Sequence, residues 1–567
     1  MHSPDSLIEK IRSNIIGCDG AMTTVFGLKP MVYADYTASG RSLKFIEELI
    51  QKQVLPCYAN THTETTLTGA NTTAWRESAR QAIRQAVNGS EDDKVIFCGS
   101  GATAAINKLV EVLNLRLPTD PVKRRQVLEL TAPEERPIVL IGPYEHHSNE
   151  LPWRESLAKV VVVPLDSRGQ MDLQALESLL QRYQSASRVI GSFSAASNVT
   201  GLRTDVVAVT RLLKRYGALA CWDYAAAGPY SAIDMSELDA VFLSPHKFVG
   251  GPGSCGVLVA KAALFVNPVP ATAGGGTVVY VSPDSHAYVT NIERREEAGT
   301  PGIVESIRAG LVMSLQQQVG AERIAELEQQ MAARVMARLK KIDNIEILGG
   351  CENERLPIFS LRFRSNQEGP GKGRDLHYGF VVALLNDLFG VQARGGCSCA
   401  GPYAHYLLHM DRDYSRQVES AVLLGANVLR PGWVRLSFNY FICDEEFDYL
   451  MTAIELVARH AEQMLVYYHY DAVNGVWRHC ESQAVPRDRF AGINWFEENV
   501  ECSLNSQRPG LQVALSNAKK QIEAALAAAQ SRYPKVLKQD QEAVKLPPEQ
   551  EAIRWFLWPS EVFCNEL

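Results

Sequence analysis

From residue 95 to residue 256 one pattern recurs: a short apolar run, a turn of small or polar residues, and a helix-length stretch before the next run. The runs cover 95–98, 138–143, 160–164, 189–194, 219–222 and 241–243. Strands spaced by helices in this way build an α/β domain whose sheet is mostly parallel and covered on both faces. That architecture also fixes where chemistry can sit, because ligands of such sheets gather just beyond the C-terminal strand ends. The residues expected there are Gly101, Ala102 and Thr103, then His146, Asn198, Asp223 and Lys247.

Lys247 closes the run Ser244-Pro245-His246-Lys247 and is followed by Gly250, Gly251, Gly253 and Gly256. A partly desolvated amine loses its proton and can form a Schiff base with an aldehyde cofactor, and glycine backbone admits a bulky ligand. A lone lysine after a strand is more commonly an ordinary surface residue. Asp223 ends the apolar run before it, where a carboxylate can keep a pyridinium nitrogen protonated. By itself an Asp in that place more commonly caps a helix. Taken jointly, Asp223 and Lys247 point to pyridoxal 5'-phosphate. The turn around Gly101 precedes a helix, so its backbone N–H groups suit a phosphate. The same junction is common packing in any α/β fold, and it lacks the Walker lysine and the dinucleotide fingerprint. His146 and His147 point to opposite sides of an extended chain and make a poor metal pair. Asn198 also reads as a turn residue beside Gly201.

The pair Asp223 and Lys247, with the Ser-x-His-Lys run at 244–247, resembles the class V aminotransferases, and among them the cysteine desulfurases and selenocysteine lyases. The resemblance extends from about Tyr33 to about Phe447 and keeps the family's motif order. It implies the fold type I of pyridoxal phosphate-dependent transferases, with a large mostly parallel-sheet domain and a smaller α+β domain. It implies that Gly101, Ala102 and Thr103 receive the cofactor phosphate, with Ser244 and His246 beside them. His146 would stack on the pyridine ring, Asn198 would contact the ring hydroxyl, and Thr300, in the Glu-x-Gly-Thr-Pro loop, would reach the phosphate of a partner subunit. His62 would lie near the substrate, and Arg435 would hold the α-carboxylate, a task its planar guanidinium suits.

In the second half the run 391–402 carries Arg394, Cys397 and Cys399. It resembles the desulfurase run Arg-x-Gly-His-His-Cys-Ala-x-Pro, which makes Cys399 the match of the catalytic cysteine and Arg394 that of the arginine. Three departures stand out: Ala102 lacks a hydroxyl, Ala226 replaces a Gln, and Cys397 and Ser398 replace the two histidines. No companion ligand pair accompanies Cys397 and Cys399 at zinc spacing, so a nucleophile is preferred to a metal site.

At 567 residues, 46% of them apolar, the chain has material for about two or three domains. The expected division is an N-terminal segment 1–45 packing on the small domain, a large cofactor domain 46–317, a small domain 318–470, and an extension 471–567 of unreadable role. In that extension Trp555, Trp558 and Phe563 suggest packing on the body or a partner. A net charge of −7 gives no reason to expect nucleic acid. The N-terminus lacks a signal-peptide core and no run approaches membrane-spanning length. Twelve cysteines, mostly single, fit a reducing cytoplasm. The function expected is removal of sulfur from cysteine, or selenium from selenocysteine, leaving alanine through a persulfide on Cys399. A homodimer and a sulfur-acceptor protein are the partners the resemblance implies. The alternative is a class V aminotransferase, epimerase or C–S β-lyase without persulfide chemistry.

Overall fold

The computed structural model describes residues 3–61, 63–365, 373–482, 504–543 and 546–562, with isolated positions between 483 and 503. Its centre is a seven-stranded sheet made of β1 (Asp93–Cys98), β2 (Ile138–Ile141), β3 (Lys159–Val162), β4 (Val189–Ser194), β5 (Leu219–Asp223), β6 (Ala240–Leu243) and β7 (Gly256–Lys261), in the spatial order β1-β7-β6-β5-β4-β2-β3. Strands β6, β5, β4, β2 and β3 are parallel neighbours. β7 alone runs backwards, antiparallel to both β6 and β1. The C-terminal ends of β1, β2, β4, β5 and β6 therefore share one edge, as the sequence pattern predicts.

Side chains alternate across a strand, so a sheet buried on both faces needs apolar residues at every position. That is why the runs are continuous. Val241 and Leu243 enter one apolar cluster and Phe242 the other. Val257 and Val259 likewise separate from Leu258, and Leu140 from Val139 and Ile141. The first cluster is closed by α1 (Leu67–Ala86), through Ala79 and Ile83, and by α3 (Ile303–Val319), through Ile307 and Val312. The second is closed by α2 (Gly101–Val112), which presents Ala105, Ile106 and Leu109.

A second core surrounds a four-stranded antiparallel sheet of β8 (Ile345–Ile347), β9 (Ile358–Phe363), β10 (Arg394–Gly396) and β11 (Trp433–Ser437), ordered β8-β9-β11-β10. Helices α4 (Ala321–Leu339), α5 (Tyr378–Phe389) and α6 (Asp444–Met464) pack on it.

The N-terminal segment divides between the two cores, which corrects the expectation that 1–45 packs on the small domain as a unit. Ile8, Ile11 and Ile15 enter the large core, because the helix Pro4–Ser13 places its apolar stripe there. Val32 and Ala34 enter the small one, where Val32–Tyr33 pairs in parallel with Val391–Gln392.

The extension completes the small core. Leu511, Leu515 and Ile522 of α7 (Leu511–Ala543) are buried there, together with Phe556 and Leu557. Trp555 stacks on His377 and Tyr378, and Trp558 packs against Trp477. Phe563 lies outside the described residues. No described helix is long and apolar enough to cross a membrane.

Candidate active site

A cavity of about 250 Å³ opens at the shared strand edge, walled by both domains. The large domain contributes Gly101, Ala102, Thr103, His146, Asn198, Asp223, Ser244, His246 and Lys247, and the small domain Arg394, Cys399 and Arg435. These are twelve of the fourteen residues singled out from the sequence, brought together from positions more than 300 residues apart. Thr300 lies outside this wall, exposed, accepting a hydrogen bond from Asn60 Nδ2 at 3.2 Å. His62 lies outside the described residues.

Lys247 is placed by a short 3₁₀ turn, Pro245–Lys247, that follows β6 directly. Gly40 locks this turn from outside, its N–H donating to His246 O at 2.9 Å. A Cβ on Gly40 would stand 1.9 Å from the Phe248 carbonyl oxygen, so only glycine lets the N-terminal segment come this close. Burial lowers the Lys247 pKa to about 8, with the Asp223 charge opposing the fall and the Arg435 and Arg394 charges adding to it. Near physiological pH the amine is still mostly charged, but roughly a tenth to a fifth of it is neutral, far more than for an ordinary lysine.

Asp223 is buried at the end of β5, and its Oδ1 accepts the Ala225 N–H at 2.8 Å. Burial raises its pKa, while the Ala225 amide and the Lys247 charge pull it down. His146 follows β2, and its Nδ1 accepts the Ser148 N–H at 3.1 Å, which leaves the ring proton on Nε2. Burial, then the Lys247 charge, lowers the His146 pKa to about 3, so the ring faces the cavity neutral. Glu145 anchors the loop beneath it, accepting from Ser194 N (2.9 Å), Ser194 Oγ (2.6 Å) and Asn149 Nδ2 (2.7 Å).

At the other side of the cavity α2 begins. Gly101 sits at φ +57°, and a Cβ there would meet His246 Cε1 at 2.8 Å and Ser244 Oγ at 2.9 Å. The Ala102 N–H donates to Ser244 Oγ at 2.9 Å, and Thr103 Oγ1 lies 2.6 Å from Ser148 Oγ. A helix N-terminus ringed by these hydroxyls is a cradle for a phosphate.

The small domain supplies the rest. Arg394 and Arg435 sit opposite each other on β10 and β11, and Asp35 bridges them at 2.9 and 2.8 Å. Cys399 belongs to a tight turn closed by Ala400 N donating to Cys397 O at 3.2 Å. Ser398 and Cys399 both have φ +55°, a left-handed conformation that side-chain-bearing residues keep only where neighbours enforce it. The enforcing bonds come from the large domain. Asn198 Nδ2 donates to Ser398 O (2.8 Å), His147 N donates to Cys399 O (2.8 Å), and His147 Nε2 accepts from Gly401 N (3.0 Å). Cys399 is exposed at the cavity, whereas Cys397 packs half-buried against an apolar cluster that includes Tyr403 and Trp433.

Sequence reasoning did not assign Asp35, Thr37, Ser100, Ser148 or Ser194 to the site, nor give His147 its clamping role. Small hydroxyl residues carry no local signature, and Asp35 meets its arginines across 359 and 400 residues. The segment 31–40 itself was expected at the site, since its short strand and turn resemble the stretch by which the family's chain enters the active site, but no role was assigned to Asp35 or Thr37 within it.

The fold and these residues define a class. The sequence profile described as "Aminotransferase class-V" matches residues 32–450, and the chain belongs to that family. Among its relatives, a probable cysteine desulfurase of Vibrio cholerae is 27% identical over 440 residues, 76% of this chain and 95% of the relative. Another, from Halalkalibacterium halodurans, is 27% identical over 384 residues, 67% of this chain and 86% of that one. The apo structure of a cysteine desulfurase from Thermococcus onnurineus superposes with a TM-score of 0.62 at 21% identity, over 81% of this chain and 99% of that one. A cysteine desulfurase of Escherichia coli gives 0.59 at 21% identity, over 81% and 99%.

Proposed function

We propose that this protein binds pyridoxal 5'-phosphate at Lys247 and removes sulfur from cysteine, or selenium from selenocysteine, leaving alanine and a persulfide on Cys399. The observation that carries the reading is the meeting, in one cavity, of a desolvated lysine, a buried carboxylate, a buried arginine and an exposed cysteine.

The residues present fit the cofactor. Asn198 Oδ1 is a buried acceptor without a protein partner, facing the same cavity as Asp223. Ala102, Thr103, Ser244 and His246 would hold the phosphate, Asp223 the ring nitrogen, and His146 the ring face. When bound, the cofactor supplies an electron sink for the substrate's α-carbon. Lys247 attaches it and carries the proton between substrate carbons, which a pKa near 8 suits. Arg435 and Arg394 hold the α-carboxylate and so orient the side chain toward the turn at 397–400. Cys399 sulfur bonds to the substrate sulfur as the Cβ–S bond breaks; the bond pair stays with Cβ, which takes a proton to become the alanine methyl.

Ala226 lines the cavity at the position where the resemblance to desulfurases leads one to expect a Gln, so in this reading the ring oxygen finds its donors elsewhere. Thr300, exposed on its loop, serves a partner subunit's phosphate in this reading, which makes the working unit a homodimer. Product analysis of purified holoenzyme tests the function. Alanine with sulfide from cysteine is the expected result; a keto acid, or pyruvate with ammonia, would assign transamination or β-elimination instead.

A further inference from the structure

His146 and His147 are adjacent, yet only His146 lines the cavity; the His147 ring turns to the small domain. The two imidazoles carry opposite tautomers. His146 Nδ1 accepts from Ser148 N, whereas His147 Nε2 accepts from Gly401 N at 3.0 Å, so His147 is neutral with its proton on Nδ1.

Gly401 opens the short helix Gly401–Leu407, which follows the Cys399 turn directly. The first N–H groups of a helix have no partner within it, and Ala400, at the cap position, has no side chain that could accept one. His147 supplies that acceptor from the other domain, and its backbone N–H holds Cys399 O at 2.8 Å. The ring stands close: a Cβ on Gly401 would lie 3.2 Å from Nε2. Within the turn, the bond from Ala400 N to Cys397 O spans Ser398 and Cys399, both at φ +55°. That bond alone does not hold two side-chain-bearing residues left-handed. Asn198 holds Ser398 O as well, but it also lines the cavity, so His147 is the member of the clamp that separates thiol placement from cofactor binding.

We propose that His147 is the positioning residue of the sulfur-transfer step: by capping the helix at Gly401 and tethering Cys399, it aims the thiol at the substrate. Its neighbour His146 faces the cofactor, so two consecutive residues tie the seat of the cofactor to the seat of the thiol. In this role His147 acts through the turn and touches neither substrate nor cofactor. Capture of the amino acid and proton removal by Lys247 need no thiol. Loss of the clamp therefore slows persulfide formation and leaves substrate capture intact. The inference rests on Cys399 being the sulfur acceptor, as proposed above.

The test is a single-turnover experiment in which the holoenzyme, His147→Gln and His147→Leu are each mixed with cysteine. The cofactor's absorbance reports substrate capture, and trapped persulfide on Cys399 reports the transfer. A Gln places an oxygen near the position of Nε2 and can accept from Gly401; a Leu fills the space and accepts nothing. His147→Leu should form persulfide at least about tenfold more slowly, the size expected of an N–H left without its acceptor. Its cysteine capture and unfolding temperature should match the wild type, and His147→Gln should keep most of the transfer rate. Persulfide formed by His147→Leu at the wild-type rate overturns the proposal. So does an equal loss in His147→Gln and His147→Leu, or a loss of capture in step with transfer, which would make His147 a cofactor-site residue. A wild type that captures cysteine but places no persulfide on Cys399 removes the proposed reaction first, and this inference with it.

Discussion

Lys247 carries the most demanding requirement in the molecule, an amine that is neutral when cofactor arrives and charged when a proton must be delivered. Its pKa of about 8 comes first from burial. Only the neutral amine attacks an aldehyde, so cofactor capture by the apoenzyme should quicken about tenfold per pH unit up to roughly pH 8 and then level off. Stopped-flow absorbance reads this directly; a flat profile between pH 6 and 8 would remove Lys247 from the role. Lys247→Ala should lose the borohydride-reducible linkage altogether. At the carboxylate anchor, Arg435 donates through a planar fork that an ammonium cannot reproduce, so Arg435→Lys should cost about 2 kcal/mol, roughly thirtyfold in amino-acid affinity. An unchanged affinity would move the anchor to Arg394.

Single elements decide how these residues meet. The turns after β1, β2, β5 and β6 were readable from the sequence because each couples an apolar run to small or polar residues at a strand end. The turn that presents Cys399 was readable only in part. Its cysteine follows from the interval to Arg394, but the left-handed pair Ser398 and Cys399, and the clamp from Asn198 and His147, arise from tertiary contacts 200 to 254 residues apart. Asn198, expected at the cofactor ring, spends its amide N–H on that clamp. The turn bearing Lys247 depends in the same way on the distant Gly40. Gly40→Ala drives a methyl group into the Phe248 carbonyl, so it should cost about 1–3 kcal/mol of stability and weaken cofactor retention together. Thermal unfolding with and without cofactor checks both; a variant with wild-type retention would show that the Lys247 turn tolerates displacement.

At the scale of the whole molecule the chain is two cores with the site between them. The α/β layer was legible because its strands are buried on both faces and read as unbroken apolar runs. The extension was legible in part: a helix within 505–532 and the packing of Trp555 and Trp558 on the body or a partner were expected and are found. Which core α7 completes was not readable, because its partners on α5 and α6 lie far upstream. Leu511, Leu515, Ile522, Phe556 and Leu557 are all buried in the small core. At roughly 2 kcal/mol for each such side chain, removing residues 505–567 should take away a large share of a domain's stability. A truncated chain that unfolds at the wild-type temperature would contradict that account.

The central claim, a sulfur passed from substrate to Cys399, is tested most directly by locating the persulfide. Holoenzyme is incubated with cysteine, its persulfides are labelled, and the modified residue is mapped by mass spectrometry in the wild type, Cys399→Ser and Cys397→Ser. Cys399 faces the cavity and Cys397 packs against an apolar cluster, so the label should sit on Cys399. Label and sulfide release should vanish in Cys399→Ser and persist in Cys397→Ser. Label kept in Cys399→Ser but lost in Cys397→Ser would reverse the roles of the two thiols, and alanine formation untouched by either substitution would contradict the desulfurase account itself.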